Sequence, residues 1–291
     1  MIYTIDNLSK TFQGKQTHTA NHNISFSINE GEIFSILGNN GAGKTTLIKQ
    51  MLKIITPTSG EILFEGENIK KISNRWYYKQ VNAVLEGNRN LYWYLTGSEN
   101  IMYFGRLFGY RDRELKMRCK ELLEFFDLYE DRNKKVGYYS RGMQQKIAII
   151  VALINKPKVL FLDEPTLGLD IHAKKDVIRK VRSLSKDQHT TIILTSHQLD
   201  VIEQLADKVM ILEKGERLFL GDIDKLKRYY SQNKYHVFVK SVLAREKVAL
   251  FFSEFQWKII NGDTHLVIFV ENDEEMQTFL AYLISNKYKY L

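Results

Sequence analysis

The sequence predicts an α/β fold in two domains, and three observations support this prediction. Short, nearly continuous apolar runs at residues 31–37, 158–163, 191–195 and 208–213 are typical of strands buried on both faces of a parallel sheet. Helical patterns alternate with these runs, as crossover connections between parallel strands require. The pattern then changes after Gly221, where strands and helices follow a different order.

The front of the chain predicts a separate antiparallel sheet. Residues 2–5, 23–28 and 61–69 alternate apolar and polar side chains, which is typical of strands with one buried face. We expect them to form an antiparallel edge or a small sheet beside the parallel core.

Residues 98–155 interrupt the alternation of strands and helices. Only helical patterns occur there, at 98–109, 112–127 and 140–154. The prediction is a helical subdomain inserted into the first domain, which as a whole spans residues 1–222.

A small α+β domain is predicted at residues 225–291. Its patterns follow the order β-α-β-β-α, and the pair Asn261-Gly262 between the last two strands is a strong signal for a two-residue hairpin turn. The final helix carries apolar residues at helical spacing, at Met276, Phe279, Leu280 and Leu283.

Composition excludes several classes of protein. With 44% hydrophobic and 26% charged residues among 291, the chain is globular and neither disordered nor collagen-like. Cys119 is the only cysteine, so no internal disulfide is expected. The longest apolar run, residues 147–154, is far short of the roughly 20 residues that span a bilayer. These features predict a cytoplasmic protein without a membrane-spanning segment.

The net charge of +8 is spread along the chain. Its densest basic stretch, residues 111–120, is interrupted by Asp112 and Glu114 and has the apolar spacing of an amphipathic helix. A solvated helix face is the preferred interpretation, so no nucleic-acid partner is expected. Attraction to a membrane surface stays open as a secondary effect.

Residues 38–45 carry the pattern G-x-x-x-x-G-K-[ST], directly after a predicted buried strand and at the start of a predicted helix. In this context the pattern binds nucleotide phosphates and defines a P-loop NTPase core. Backbone N–H groups approach the β-phosphate through the glycines, and the helix N-terminus adds partial positive charge. A chance glycine-rich turn is the alternative for the pattern alone.

Two residues at the end of this loop have predicted chemical roles. Lys44 is expected to reach the β- and γ-phosphates, and the Thr45 hydroxyl to ligate Mg²⁺. The predicted nucleotide-binding residues of the loop are Gly38, Asn39, Asn40, Gly41, Ala42, Gly43, Lys44, Thr45 and Thr46.

Asp163 and Glu164 stand where the strand at 158–163 ends. A carboxylate at the end of a buried strand is costly without a cation, which makes Mg²⁺ the natural partner of Asp163. Glu164 is expected to point into the same cleft, where it can orient and deprotonate an attacking water. Capping of the following element is the alternative role for this pair.

Two further features lie at the ends of a helix and a strand. Ser140 and Gly142 stand at the start of an apolar helix, which provides a second N-terminus suited to phosphate. One nucleotide does not need both helix ends from the same subunit. His197 follows the strand at 191–195, where α/β proteins place their ligands, and this favours a γ-phosphate role over a structural one.

Taken together, these features resemble the nucleotide-binding subunit of an ATP-binding-cassette (ABC) transporter, over residues 1 to about 222. Five elements occur in the family's order: the phosphate loop, the signature at 140–144, the Walker B strand followed by Glu164, the D-loop Gly168-Leu169-Asp170, and the switch histidine His197.

The resemblance implies an ATPase that uses Mg²⁺, with Lys44, Glu164 and His197 as catalytic residues. It also implies that two subunits pack head to tail, so that Ser140 and Gly142 of one subunit close over ATP held by the other. The second subunit is another copy of this chain or a paralogous subunit. Phe12 matches the aromatic residue that stacks on adenine in this family.

The chain departs from the family pattern at two places. Glu86, within the stretch 83–90, stands where most members carry a glutamine that contacts Mg²⁺ and water. The signature has Arg141 and Met143 where glycine and glutamine are usual. Both departures resemble the branch of drug, antibiotic and polyketide exporters that use separate membrane subunits. The resemblance assigns the metal to Thr45, Glu86 and Asp163.

Aromatic residues are frequent just after Glu86. The resemblance implies that a separate transmembrane permease subunit docks near residues 86–110, where aromatic side chains suit a helix-in-groove contact. Ordinary packing inside the helical subdomain is the equally weighted alternative. The side chains concerned are Tyr92, Trp93, Tyr94, Tyr103, Phe104 and Phe108.

The resemblance therefore predicts the ATP-hydrolysing subunit of an exporter, peripheral on the inner face of the cell membrane. ATP binding would close the dimer and hydrolysis would reopen it, which drives transport through the permease subunit. One alternative is a non-transport cassette protein that acts on ribosomes or DNA, although a single phosphate loop and the absence of sustained heptads in the sequence disfavour it. The other alternative is a subunit of an importer.

Overall fold

The computed structural model describes residues 1–14, 17–86, 91–231, 233–252, 255–270 and 273–290. The chain divides into two compact units, Met1–Ile223 and Asp224–Leu291. Each unit has its own hydrophobic core and is described by itself.

The first unit contains both strands and helices. In chain order they are β1 (Tyr3–Phe12), β2 (His18–Ile28), β3 (Ile33–Leu37), α1 (Lys44–Met51), β4 (Ser59–Phe64), β5 (Glu67–Asn68), α2 (Asn74–Gln80), β6 (Val81–Val84), α3 (Gly97–Leu107), α4 (Asp112–Phe125), a 3₁₀ turn (Val136–Tyr138), α5 (Arg141–Leu153), β7 (Val159–Asp163), α6 (Ile171–Gln188), β8 (Thr191–Ser196), α7 (Leu199–Leu205), β9 (Lys208–Glu213) and β10 (Glu216–Gly221).

The central sheet has six strands in the order β10-β9-β3-β8-β7-β6. The four predicted apolar runs are its inner strands, and they pair in parallel, as expected. Every residue of β3, β7 and β8 is buried, because helices cover both faces of a parallel sheet. The predicted α/β class is thereby confirmed.

Two edge strands of this sheet were not predicted. β6 has only four residues, too few for its own pattern to stand out, and it pairs in parallel with β7. β10 returns antiparallel to β9 through Lys214 and Gly215, which both have positive φ. Such a two-residue turn matches the twist of a hairpin.

The predicted antiparallel sheet at the front is confirmed. It has four strands in the order β2-β1-β4-β5, and its neighbouring strands pair antiparallel. Helix α2, which was not predicted, follows this sheet and is capped by Ser73, whose hydroxyl accepts the backbone N–H of Trp76 at 3.3 Å. That bond satisfies one of the free N–H groups at the start of the helix.

Helices α3, α4 and α5 correspond to the three helices predicted within 98–155. α3 starts in a capping box, in which Thr96 and Glu99 each bond the backbone N–H of the other. Gly105 on α3 lets α4 approach closely, since a Cβ atom at this position would lie 2.2 Å from the side chain of Leu115.

The second unit follows the predicted order β-α-β-β-α after a leading helix. Its elements are α8 (Ile223–Ser231), β11 (Asn233–Val239), α9 (Arg245–Val248), β12 (Phe255–Ile260), β13 (Asp263–Val270) and α10 (Asp273–Ser285). The three strands form an antiparallel sheet, β11-β13-β12, and Asn261 and Gly262 make the hairpin turn with positive φ, as predicted. Its core includes Val237, Leu266 and Phe279.

Among the described residues, no helix combines the length and the apolarity needed to cross a bilayer.

Candidate active site

The phosphate loop connects β3 to α1 and lies tightly against neighbouring backbone. A Cβ atom at Gly38 would lie 2.4 Å from the carbonyl oxygen of Leu212, and one at Gly43 would lie 2.3 Å from that of Ala20. Gly43 also has φ of 103°, which a side chain would disfavour. The glycines of the pattern are therefore required by the fold of the loop.

Helix α1 begins directly after this loop with its N-terminus open. Gly43 occupies the cap position, and no side chain caps the helix. The first N–H groups of a helix lack partners within it and carry partial positive charge. An anion such as a phosphate group is the partner that this arrangement suits.

Lys44 is buried under the loop, with 6% of the residue exposed. Its ammonium group donates to the carbonyl oxygens of Gly38 at 2.6 Å and Asn39 at 3.3 Å. The carboxylate of Glu164 lies 3.6 Å from the same nitrogen. Lys44 thus joins the phosphate loop to the end of strand β7.

Thr195 bonds both acidic residues at the end of β7, Asp163 at its carboxylate and Glu164 at its backbone. Its hydroxyl donates to Asp163 at 2.6 Å and accepts the backbone N–H of Glu164 at 3.0 Å. The hydroxyl of Thr45 donates to the other oxygen of Asp163 at 3.2 Å. Asp163 is 3% exposed, so these bonds supply polar partners that water cannot.

Sequence reasoning missed Thr195. A polar residue near the end of an apolar strand was the available signal, but its role depends on register: Thr195 pairs directly with Asp163 across β8 and β7. Glu164 has φ of 50°, in the left-handed region that an ordinary side chain disfavours. The bond from its N–H to Thr195 helps to hold this backbone turn.

Glu164 and His197 form a pair at the mouth of the site. Nδ1 of His197 lies 3.0 Å from the Glu164 carboxylate, which is within hydrogen-bond distance. The Glu164 side chain is 8% exposed and that of His197 is 35% exposed. The carboxylate is thus enclosed, while the ring faces the cavity opening.

These groups surround a cavity of about 420 Å³, within the range of small-molecule sites. Its lining includes every loop residue from 39 to 46. The remaining lining residues are His18, Ala20, Glu86, Glu164, Leu167 and His197.

Three lining residues, His18, Ala20 and Leu167, were not predicted. His18 and Ala20 lie on β2, where strand alternation alone gives no sign of a ligand. Leu167 belongs to the loop after Glu164. In that loop the family motif covers only the D-loop residues 168–170.

Five predicted residues lie outside the lining of this cavity. Gly38 and Asp163 stand behind it, and they accept hydrogen bonds from the lining residues Lys44 and Thr45. Phe12 ends β1 with 39% exposure, and the ammonium group of Lys10 lies 5.0 Å from its ring centroid. The other two residues, Ser140 and Gly142, start α5. The part of the Glu86 stretch at 87–90 lies outside the described residues.

The start of α5 is closed by its own chain. The Ser140 hydroxyl accepts the backbone N–H of Met143 at 3.2 Å. A Cβ atom at Gly142 would lie 2.6 Å from the Cβ of Ala173 on α6, so only glycine allows this contact. Arg141 packs against Gly168 of the D-loop and lines a hollow of about 470 Å³ that Glu164 also borders.

The metal residues assigned from the sequence contain two carboxylates and one hydroxyl. Asp163 and Thr45 are in hydrogen-bond contact, and Glu86 borders the cavity from an exposed position. Among the described residues, no group of three or more His, Cys, Asp or Glu side chains is placed to hold a metal ion. Mg²⁺ in nucleotide sites takes only one or two carboxylates and completes its shell with phosphate oxygens and water.

Comparison with known proteins gives a consistent result. The family described as "ABC transporter" matches residues 21–167. The ABC transporter ATP-binding protein NatA of Bacillus subtilis is 34% identical over 227 residues, covering 77% of this chain and 91% of NatA. The bacitracin transport ATP-binding protein BcrA of Bacillus licheniformis is 38% identical over 228 residues, covering 78% of this chain and 72% of BcrA.

Solved structures agree with the sequence relatives. The chain superimposes on a dimeric structure of the ATP-binding cassette MJ0796, in a post-hydrolysis state bound to ADP and Pi, with a TM-score of 0.69 and 25% identity. This match covers 76% of the present chain and 99% of the cassette. CbiO1 from Clostridium perfringens, part of the transporter complex cbiONQ, matches with a TM-score of 0.71 and 25% identity, over 78% and 90% of the two chains.

The fold and the cavity define a P-loop ATPase cassette, in which phosphate loop and acidic strand end meet at one edge of a parallel sheet. This chain belongs to the ABC transporter family and is an ATP-binding, ATP-hydrolysing subunit of that family.

Proposed function

We propose that this chain powers export through a separate membrane subunit, by closing on ATP as a head-to-tail dimer and reopening after hydrolysis. One observation carries the dimer: the phosphate loop, Glu164 and His197 meet in one cavity, while Ser140 and Gly142 do not line it. A nucleotide held by the loop therefore leaves the signature residues of the same chain unused.

Within the cavity, the residues divide the work on ATP as follows. Backbone N–H groups of the loop and of α1 bind the β- and γ-phosphates, and Lys44 neutralises their charge. Glu164 accepts a proton from the attacking water, because it is enclosed beside the loop and held by Thr195 through its backbone. His197 orients Glu164 and reaches the γ-phosphate from the cavity mouth.

Mg²⁺ is proposed as the cofactor, held by Thr45 and Asp163 with Glu86 at the rim. The fit rests on Asp163, an almost fully buried carboxylate whose hydrogen-bond partners here are two hydroxyl groups and no cation. When bound, the ion would supply positive charge for the phosphate oxygens. Phe12 is assigned to adenine on the resemblance, at the exposed end of β1.

The signature residues are assigned to the nucleotide of the second subunit. Ser140 and Gly142 present a helix N-terminus, which favours a phosphate group brought by another chain. Dimeric cassettes such as MJ0796 support this assembly by similarity. The partner is a second copy of this chain or a paralogous subunit.

A mixing experiment tests the composite site. Lys44→Ala removes the phosphate contact and Ser140→Asp places a carboxylate against the partner's γ-phosphate, so each variant alone should lose turnover. In a random mixture, half of the dimers are mixed and one of their two sites is intact, so about a quarter of wild-type activity should return. A mixture that stays as inactive as its two components would contradict the shared site.

The membrane subunit is proposed to dock near residues 86–110. A groove of about 370 Å³ lies there between strand β6 and helices α3 and α5, and we call it the aromatic groove. Its lining includes Leu91, Tyr92, Phe104 and Phe108. Trp93 and Tyr94 beside it are 57% and 68% exposed, more than ordinary core packing allows.

We propose that some of the aromatic side chains pack inside the helical subdomain and that others contact the membrane subunit. Tyr92 packs against the rings of Tyr103 and Phe104, at centroid distances of 4.9 Å and 5.9 Å. Trp93 and Tyr94 have large exposed surfaces that suit a partner helix. The chain is proposed to lie on the inner face of the cell membrane through this contact.

Export rather than import is proposed from the relatives. BcrA is named for bacitracin transport, and a linearmycin resistance ATP-binding protein, LnrL of Bacillus subtilis, is 36% identical over 216 residues, covering 74% of this chain and 68% of LnrL. A transporter confers resistance to an antibiotic when it moves the compound outward, so these names favour export.

The groove and the direction can be tested together. Phe108→Asp places a charge in the aromatic groove, so a membrane subunit that co-purifies with the wild-type chain should no longer do so. Leu218→Asp, at an exposed position on β10, is the matched control and should retain the partner. Antibiotic accumulation in cells should rise only with Phe108→Asp. Recovery of ribosomes with the wild-type chain would instead support a non-transport protein.

A further inference from the structure

Helix α2 and the loop before it carry positive charge that ATP hydrolysis does not use. Residues 68–85 contain no acidic residue. Their four cations, Lys70, Lys71, Arg75 and Lys79, are all exposed, and within the part of the chain that the structure describes none of them forms an ion pair. Because no carboxylate among the described residues pairs with these cations, this surface has a positive potential that attracts anions.

Apolar and aromatic side chains lie exposed on the same helix and next to it. Trp76 is 42% exposed and rests edge-on against Phe64, at a centroid distance of 6.0 Å. Tyr78 is 38% exposed, and its hydroxyl donates to the carbonyl oxygen of Leu52 at 3.0 Å. That bond ties α2 to the end of α1, two residues before Ile54, which is 55% exposed. We call the four cations, Trp76, Tyr78 and Ile54 together the basic face.

The basic face continues toward the aromatic groove. The side-chain amide of Asn155 donates to the carbonyl oxygen of Lys79 at 3.3 Å, which places the exposed Lys156 close to the end of α2. Lys79 and Lys156 line one hollow of about 440 Å³ together with Phe108. Phe108 also lines the aromatic groove, so the two surfaces share a border. Glu114 is the acidic residue of this hollow.

We propose that the basic face binds the anionic phospholipid headgroups of the membrane in which the permease subunit lies. The placement at the membrane rests on the proposed function, through the shared border with the aromatic groove. Each lysine or arginine at a negatively charged lipid surface strengthens binding by roughly fivefold. Tryptophan and tyrosine favour the headgroup region, where an apolar ring and a polar edge are both satisfied.

A lipid surface fits the basic face better than a nucleic acid does. The most exposed of its apolar side chains is Ile54, an aliphatic group that gains nothing from a phosphodiester backbone and gains from a lipid interface. The hydroxyl of Tyr78 is already bonded to Leu52, which leaves the ring for apolar contact. The cations of the basic face would therefore contact the lipid headgroups, and its apolar side chains would contact the interface beneath them.

Flotation with vesicles tests the proposal on the full chain. The wild-type chain should float with phosphatidylcholine vesicles that contain phosphatidylglycerol, and should not float with pure phosphatidylcholine. High salt should release it, because exposed charges are screened. Replacing Lys71, Arg75 and Lys79 by glutamine should lower the partition coefficient by on the order of a hundredfold, which is fivefold for each charge.

The matched control removes the same charge elsewhere. Lys175, Lys186 and Lys227 are exposed and lie outside the basic face, so their replacement by glutamine should change partitioning only slightly. An equal loss in both triple variants would overturn the proposal, since binding would then follow net charge alone. Tighter, patch-dependent binding to an RNA oligomer than to the anionic vesicles would assign the face to nucleic acid and would also overturn it.

A second measurement follows Trp76 directly. Trp76→Phe should remove most of the fluorescence quenching that brominated lipids cause on vesicle binding, although Trp93 and Trp257 remain in the chain. Quenching that is the same in both proteins would contradict contact through α2. These vesicles contain no permease and the assay needs no ATP, so its outcome is independent of whether the proposed export function holds.

Discussion

The two helix N-termini predicted to meet phosphate differ in how much of their site this chain builds. At α1, no side chain caps the helix and the phosphate loop, Glu164 and His197 converge on one cavity. At α5, the Ser140 hydroxyl caps the helix and α6 presses against Gly142. The first end is a nearly complete site, whereas the second is a preformed surface without a ligand site of its own.

If the proposed head-to-tail dimer forms, this difference explains why the chain would need a partner to turn over ATP at full rate. The α1 end can recognise phosphate by itself, since charge, backbone donors and the acidic strand end are all in place. In the proposed dimer, the α5 end adds transition-state contacts to a nucleotide that the other subunit brings. Variants at the two ends should therefore separate ATP binding from ATP hydrolysis.

The largest effect is expected at the α1 end from Lys44→Ala. Removal of the buried ammonium group should weaken ATP binding by about a hundredfold or more, because charge-assisted contacts to phosphate are lost. Titration calorimetry on the isolated chain measures this change. Lys186→Ala, at an exposed position on α6, is the control and should bind normally. Unchanged affinity in Lys44→Ala would refute the role of the loop lysine.

Glu164→Gln should separate binding from chemistry at the same end. The amide keeps the size of the side chain but accepts no proton from water, so turnover should fall on the order of 10²-fold or more while ATP binding persists. Steady-state ATPase assays and calorimetry on one preparation give both quantities. Near wild-type hydrolysis would mean that another group serves as the base.

At the α5 end, Ser140→Asp and Ser140→Ala distinguish capping from contact with the partner's nucleotide. Aspartate is a good N-cap, so stability should be kept, yet its charge should reduce turnover by at least about tenfold. Alanine should cost about 1 kcal/mol of stability through the lost cap. Neither change should alter ATP binding by a chain kept monomeric by dilution. An aspartate variant with normal turnover would place the signature outside the reaction.

A smaller effect is expected from Thr195→Val, which tests how well the α1 end is held in place. Loss of the hydroxyl removes its bonds to Asp163 and Glu164, so kcat should fall by roughly tenfold. Thr191→Val is the matched control: it lies on the same strand, is equally buried and bonds the N–H of Gly31 far from the cavity. Both variants should lose about 1–3 kcal/mol of stability, but only the first should lose activity.

The sequence predicts those parts of the fold and the site that depend on patterns within a short segment. Continuous apolar runs identified the inner strands, and the glycine-rich loop identified α1 and its cavity. The edge strands β6 and β10 escaped because short strands at a sheet edge are defined by their neighbours. Thr195 escaped for a related reason, since its role follows from pairing with Asp163 on another strand. Contacts across the sheet depend on the register between strands, which cannot be inferred from the sequence of one strand alone.

The residues that line the cavity are far apart in the sequence: the first is His18, the last is His197, and the phosphate loop lies between them. A pocket whose walls are so distant along the chain exists only when the front sheet and the central sheet are both in place. ATP therefore stabilises the folded protein, since it binds the native state and not the unfolded chain. At a free concentration a hundred times its dissociation constant, it would raise the free energy of unfolding by about 2.7 kcal/mol. A fall in cellular ATP would thus lower the stability of this protein as well as its turnover.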